Sequence, residues 1–438
     1  MTVTAVTQRR YRPHPLVVML RALLVLLLVA AVAITTAVLI APTPAVAATP
    51  VERSSARLPV PAIDWPEEAR AAAYGVVGID GAPDHSEAWG SEDAHPMASV
   101  TKLVTVLIVL DAHPIEDGGR GATITLGAAD VAAQGRALAQ NAPIAPVYSG
   151  MQVTQRDLIE WALVDSAGNA IWSLASWAFG GMDGFDAASA EWAQRHGLDQ
   201  TALEDPAGLD AGSVSSADDL VRIALMAVEN PVVLSTIQLE SVRIPGIGTA
   251  PNTNRILGQH GIDGGKTGTL KVWGRNLFVT AFREVEGVER RVVGIVMGTI
   301  AADETDAAMI GMLESVWLNF AARTLLDEGT VVAEYRAPWG ASTEAVAAGS
   351  LEAHVFADRA PAWTSTAEPI EAGSAPHTVG EVRLETGDEA APLRTTGLLL
   401  GPDAWWRIAN APVVLGWYAD DAPCSVLSCG ALPQGVGR

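Results

Sequence analysis

From Ala22 to Ala41 the chain runs for twenty residues without a charge, nearly all of them aliphatic, behind Arg9, Arg10, Arg12 and Arg21. A helix of that length spans about 30 Å of hydrocarbon. Basic flanks stay on the cytoplasmic side, so whatever follows is exported. Pro42 to Ala48 is a stretch of small residues that could be cut after Ala47. A cleaved signal and a retained membrane anchor through residues 22–41 are both open. The rest of the chain has to fold outside the cytoplasm. There Cys424 and Cys429, five apart, could close a small disulfide loop. Neither has a histidine nearby, so no metal site is expected.

The chain has 438 residues, enough for two or three domains with a sizeable core, and its 49% apolar and 18% charged composition is that of a globular protein. A formal charge of −22 argues against nucleic-acid partners, because phosphate contacts need patches of Lys and Arg. Only three of the 28 basic residues are lysines: Lys102, Lys266 and Lys271. A chain that takes arginine almost everywhere keeps lysine where arginine will not serve. Arginine holds its proton, whereas a buried amine can release one and act as a base.

A Pro-rich link, 51–66, leads into a mixed pattern. Residues 73–79 read as a strand and 96–111 as an apolar helical segment. Thr154-Gln-Arg-Asp157 is a capping box that should open a helix with Leu158, Ile159, Trp161, Ala162 and Leu163 on its buried face. Strands are expected at 266–271, 276–284 and 290–298, the last two joined by a hairpin at Val285-Glu-Gly-Val288. Met309, Ile310, Leu313, Trp317 and Phe320 follow at helical spacing. This order predicts an α+β core with an antiparallel sheet. Beyond Gly329, short strand-like segments at 330–337, 351–357, 378–385 and 393–400 predict a small β-domain.

Three motifs carry chemistry. In Met97-Ala-Ser-Val-Thr-Lys102, Ser99 and Lys102 share a helix face, and a serine hydroxyl needs an adjacent base to become a nucleophile. Read alone, the pair could be an ordinary surface pair; the scarcity of lysine tips the balance toward chemistry. In Asp263-Gly-Gly-Lys-Thr-Gly-Thr269 the glycines let a ligand approach an edge strand, and Lys266, Thr267 and Thr269 suit a substrate carboxylate. A nucleotide-binding P-loop is excluded, because the residue six before Lys266 is His260 and not glycine. Ser166 in Asp165-Ser-Ala-Gly-Asn-Ala170 could relay a proton or could simply cap a loop.

Taken together, S-x-x-K, then Ser-Ala-Gly-Asn, then K-T-G, the set resembles the penicillin-recognising serine enzymes. Within them it resembles the D-alanyl-D-alanine carboxypeptidases of the S11 peptidase family. Asp205-Pro-Ala-Gly-Leu-Asp210, Ser215-Ser-Ala-Asp-Asp-Leu220 and Asn252-Thr-Asn-Arg255 agree with this, over about residues 61–325. More loosely, the C-terminal region with Gly401-Pro-Asp-Ala-Trp-Trp406 resembles the family's accessory domain. The resemblance implies a β-lactamase/transpeptidase-like α+β domain at 49–328, behind a signal or anchor at 1–48. A small β-domain at 329–412 and a tail at 413–438 would follow.

It also implies a catalytic set of Ser99, Lys102 and Ser166, a substrate set of Lys266, Thr267, Gly268, Thr269 and Asn169, and no metal or cofactor. The backbone N–H groups of Ser99 and Thr269 would form the oxyanion hole. The implied partners are a peptidoglycan stem peptide ending in D-Ala-D-Ala and, as covalent inhibitors, β-lactams. Two departures stand out. The family's Ser-x-Asn has Gly168 at its third position here, with Asn169 one later: either Asn169 supplies the amide through a shifted loop or activity is reduced. No amphipathic C-terminal anchor helix is evident. His95, four before the nucleophile, and Glu204 invite Ser–His and deacylation-base readings; neither sits in the pattern those roles require. A β-lactamase-like hydrolase and a catalytically weakened wall-binding homologue are the alternatives.

Overall fold

Among the sheet strands, Ala71–Val76 and the 292–298 part of Val288–Thr299 read as near-continuous apolar runs. Such runs belong to strands buried on both faces. In the computed structural model they are the middle of a five-stranded antiparallel sheet. Its order is Ile262–Leu270, Gly274–Val285, Val288–Thr299, Ala71–Val76, His85–Gly90. The model describes residues 14–51, 60–78, 84–116, 118–359, 361–385 and 388–416. Arg9, Arg10, Arg12, Cys424 and Cys429 lie outside the described residues.

Alternate residues of the central strands supply two cores. Ala71, Ala73, Phe278, Val293, Ile295 and Met297 face a helical layer that includes Ala217–Glu229. Ala72, Tyr74, Leu277, Val279, Val292 and Val296 face Ala302–Trp317 through Met309, Met312, Leu313 and Val316. The hairpin expected at 285–288 is present, with Val285 opposite Val288 and both turn residues left-handed: Glu286 at φ 52° and Gly287 at φ 81°. Those are the torsions of the two-residue turn that matches strand twist. The capping box forms as the sequence predicts: Asp157 N donates to Thr154 Oγ1 at 3.1 Å and Thr154 N donates to Asp157 Oδ2 at 2.7 Å. It opens the helix Gln155–Leu163. The expected helix at 96–111 is a 3-10 turn, Ala98–Val100, running into Thr101–Ala112. Phe320 falls past the end of its expected helix, in a strand.

The chain divides into two units. One holds Arg57–Arg323 and His354–Ala360, and with them the three motifs that carry chemistry. The other holds Met1–Ala56, Thr324–Ala353 and Pro361–Arg438. Its six-stranded antiparallel sheet has the order Ala48–Pro50, Val331–Arg336, Ser342–Ala347, Ala390–Thr395, Thr378–Leu384, Trp363–Ala367. Tyr335, Val382 and Leu393 are buried in its core. Three of these strands, Ala48–Pro50, Ser342–Ala347 and Trp363–Ala367, were not expected from the sequence, and of the expected strand 393–400 only the start is extended. This unit also contains the helix Pro15–Ile40, long and apolar enough to cross a membrane.

Candidate active site

The helix Thr101–Ala112, which follows the turn that carries Ser99, is buried at every position from Thr101 to Leu110. Its entry is fixed by three contacts. Asn276 Nδ2 donates to Pro96 O at 2.8 Å, and Met97 N donates to Ser213 O at 2.9 Å. Ala98 takes a left-handed φ of 50°, a costly conformation for a residue with a Cβ. Beneath it lies Gly208, where a Cβ would stand 1.9 Å from Ala98 O and 2.4 Å from Thr101 Oγ1. Only glycine fits at that crossing. Ser99 is thereby left half-exposed between the buried residues Ala98 and Val100.

Lys102 is fully buried, and its Nζ lies 2.7 Å from Ser99 Oγ and donates to Ala207 O at 2.8 Å. Burial pushes the amine down from 10.5 to about 7, with the Asp205 charge pulling weakly the other way. An amine poised near neutral pH can take a proton from the serine it touches. Asp205 organises the loop that presents Ala207: its carboxylate accepts from Ala207 N at 2.7 Å and from Asp210 N at 2.8 Å.

A second serine–lysine couple sits beside the first. Lys266, also fully buried, donates from Nζ to Ser166 Oγ at 3.0 Å and to Thr267 O at 2.8 Å. Burial, and then the nearby Lys102, hold its amine well below the usual lysine range. Asp165 is raised by burial, which the Lys266 charge partly offsets. Ser166 lies in the link between Gln155–Leu163 and Gly168–Phe179 with φ 67°, a second strained non-glycine residue at the site. Lys266 rides on Ile262–Leu270, the edge strand of the sheet. At Gly268 a Cβ would stand 2.8 Å from Met97 O and 3.0 Å from Ser99 N, so this glycine lets the strand approach the backbone of Ser99. Thr267 Oγ1 donates to Thr253 Oγ1 at 2.8 Å, and Thr269 is exposed.

Six of the eight residues singled out from the sequence, Ser99, Lys102, Ser166, Lys266, Thr267 and Gly268, are thus joined by direct bonds or backbone approach, and Thr269 follows on the same strand. Asn169 stands apart from this cluster. It is completely buried, its Oδ1 accepting from Ala145 N at 2.9 Å and its Nδ2 donating to Ala145 O at 2.7 Å. Both ends of the amide are thus hydrogen-bonded to one backbone residue. The loop has not shifted to bring it round. A Cβ at Gly168 would meet only Ala137, Ala142 and Leu209, at 3.5–3.6 Å.

His95 stacks on Trp273 at 4.4 Å, and burial lowers its pKa. Glu204 is exposed. Of the three lysines, Lys102 and Lys266 are the buried pair and Lys271 is exposed in the turn after the edge strand. Sequence reasoning assigned no role to Asn276 or Gly208. Asn276 is buried and ties three segments together: besides Pro96 O, its Oδ1 accepts from Trp273 Nε1 and Gly298 N, each at 3.0 Å. No motif marks it. Gly208 lay within a recognised segment, but only the folded chain reveals what it passes beneath.

The fold is that of the penicillin-binding proteins. Penicillin binding protein 5 from Haemophilus influenzae superposes with a TM-score of 0.53 at 22% identity, covering 78% of this chain and 100% of that one. Penicillin binding protein 6B from Escherichia coli superposes with a TM-score of 0.54 at 23% identity, covering 80% and 99%. Residues 88–301 match the S11 peptidase family model, described as D-alanyl-D-alanine carboxypeptidase. The D-alanyl-D-alanine carboxypeptidase DacD of Salmonella typhimurium is 30% identical over 260 residues, 58% of this chain and 64% of the relative. A D-alanyl-D-alanine endopeptidase of Pseudomonas aeruginosa is 30% identical over 142 residues, 31% and 41%. The chain thus spans somewhat less than two thirds of the DacD relative's length.

Proposed function

We propose that the chain is an exported serine-type D-Ala-D-Ala carboxypeptidase, which removes the terminal D-alanine of peptidoglycan stem peptides and is acylated by β-lactams. The observation that carries this reading is the fully buried Lys102 amine, brought to about 7 and held 2.7 Å from Ser99 Oγ. Neutral Lys102 accepts the Ser99 hydroxyl proton as the oxygen attacks the penultimate D-alanine carbonyl carbon. The backbone N–H groups of Ser99 and Thr269 hold the oxyanion. As the C–N bond breaks, the proton passes through Ser166 to the leaving amine of D-alanine. Water then attacks the acyl-enzyme ester and returns Ser99 with its proton.

Lys266, Thr267 and Thr269 receive the terminal carboxylate, and Gly268 keeps the strand close to the nucleophile. Lys266 also supplies the positive field beside Ser166, 3.0 Å away. The substrate amide contact that the family's asparagine would make is missing at Gly168. Stem-peptide turnover is accordingly slower than acylation chemistry alone would allow. The peptidase domain is Arg57–Arg323 with His354–Ala360, and the six-stranded sheet that takes in Ala48–Pro50 is the accessory β-domain, with export directed by the apolar helix.

Intact-mass analysis after incubation with benzylpenicillin tests the reading. The expected result is one added drug molecule, absent from the Ser99→Ala variant, with D-alanine released from a D-Ala-D-Ala peptide by the unmodified protein. Hydrolysed drug without an adduct would replace this reading with a β-lactamase. An inert protein with intact drug would replace it with a wall-binding homologue.

A further inference from the structure

The helix Pro15–Ile40 is bare along almost its whole length, Val38 in its last turn being its one buried residue. Around Val38 the chain builds something specific. The short helix Ala404–Ala409 packs against this end, and Arg407 donates from one guanidinium nitrogen to Ala41 O at 2.6 Å and to Val38 O at 3.5 Å. A cation on the last carbonyls is the favourable ending for a helix, whose orphan acceptors sit there. The chain then continues straight into the second sheet: Val46 exchanges two backbone hydrogen bonds with Ile370, and Ala48–Pro50 pairs with Val331–Arg336. The small-residue stretch that could be cut after Ala47 is therefore a structural part of this unit.

The short helix is anchored from its other side too. Trp406 meets Trp339 edge-on at 5.4 Å, and Trp339 Nε1 donates to Leu400 O at 2.7 Å. What it leaves outward is apolar: Trp405 at 77% exposure, with Leu400, Ile408 and Val413 also exposed. This patch lies beside the terminus at which a membrane-crossing helix leaves the bilayer. A tryptophan at that depth is characteristic of the membrane–water interface.

We propose that the N-terminal helix is retained as an anchor and that Trp405, Ile408, Leu400 and Val413 rest in the outer leaflet beside it, so that this unit is seated on the membrane and not merely tethered to it. The occupant is lipid because the patch is continuous with the exit point of the span. The inference rests on reading Pro15–Ile40 as an export helix; it does not depend on the peptidase chemistry.

The test uses the full chain in phospholipid vesicles, with Cys424→Ser and Cys429→Ser and a single fluorophore-bearing cysteine at Trp405→Cys, Ile408→Cys or, as a control on an exposed strand position, Arg394→Cys. Severalfold stronger quenching by a nitroxide phospholipid than by aqueous iodide is expected at 405 and 408, with the order reversed at 394. Iodide quenching at 405 and 408 equal to that at 394 would overturn the seating. So would protection from both quenchers, since protein would then cover the patch. The mass of the chain recovered from host membranes should include residues 14–47; a chain beginning at Ala48 would overturn retention. Reaction of the 394 cysteine with an impermeant maleimide on intact cells reports export independently, and its failure would overturn the export reading itself.

Discussion

Replacing Lys102 by methionine removes the proposed base and, by the same physics, should stabilise the fold at neutral pH. The amine is fully buried and titrates near 7, against 10.5 for an exposed lysine. A group with a depressed folded pKa of this kind carries a penalty that is complete below about 7 and gone above 10.5. A tenfold change in proton affinity is worth about 1.4 kcal/mol, so the penalty is about 4 kcal/mol at pH 7 and about 2 kcal/mol at pH 9. Methionine fills much the same volume without a charge. It leaves Ala207 O without its partner, which costs about 1–3 kcal/mol independently of pH. Lys102→Met should therefore unfold at a higher temperature at pH 7, by several degrees at about 2–4 °C per kcal/mol for a unit of this size. The advantage should shrink by about 2 kcal/mol between pH 7 and pH 9 as the native lysine sheds its penalty. Scanning calorimetry of the detergent-solubilised chain, following the transition of the unit that holds the site, measures both. A gap between native and variant that stays constant over pH 7–9 would refute the argument, because it would mean the buried amine is not the group that titrates.

The benzylpenicillin acylation rate should rise about tenfold from pH 6 to pH 8 and then level, since a base of pKa about 7 goes from mostly protonated to mostly free over that range; stopped-flow or quenched mass spectrometry checks it. Gly208→Ala puts a methyl 1.9 Å from Ala98 O, so the turn that carries Ser99 must move, and acylation should fall by about 100-fold or more as misplacement of the reacting groups dictates. Circular dichroism should show whether the remaining fold survives. Asn169→Ala should lower the melting temperature, because Ala145 loses partners for both its N–H and its C=O, yet leave the KM for a D-Ala-D-Ala peptide unchanged. Gly168→Asn, where a Cβ meets nothing closer than 3.5 Å, should fold normally and raise kcat/KM for that peptide more than it raises the acylation rate.

Much of the site was legible because its chemistry is written in short spacings. Ser99 and Lys102 lie one helical turn apart, and a chain with only three lysines advertises the ones it keeps. The capping box at Thr154 and the turn at Glu286-Gly287 were legible for the same reason: each depends on neighbours a few residues away. What could not be read is what depends on distant chain. That Lys266 reaches Ser166, 100 residues earlier, is known from the structure alone, and so is the loss of Asn169 to Ala145. In sequence, that asparagine looks like a displaced motif residue. In space, it is a strut. Ser342–Ala347 went unseen because its inward residues Thr343, Ala345 and Ala347 are small and leave little hydrophobic contrast, and Trp363–Ala367 because it has no buried residue to mark an inner face.

The sheet that takes in Ala48–Pro50 has consequences for how the chain comes into being. Its first strand is made at once, but the partner of that strand, Val331–Arg336, comes only after the whole of Arg57–Arg323 has been synthesised. One unit is therefore inserted within the other. Apart from those of His354–Ala360, its contacts can close while the segment behind the helix is still waiting, an ordering that favours the inserted unit as the earlier to fold. A chain that stops near residue 328 would keep every residue of the site and still end with an unpaired edge at Val46–Pro50. Truncation from the C-terminus should then cost solubility before it costs chemistry, because an open strand edge is a template for the next chain.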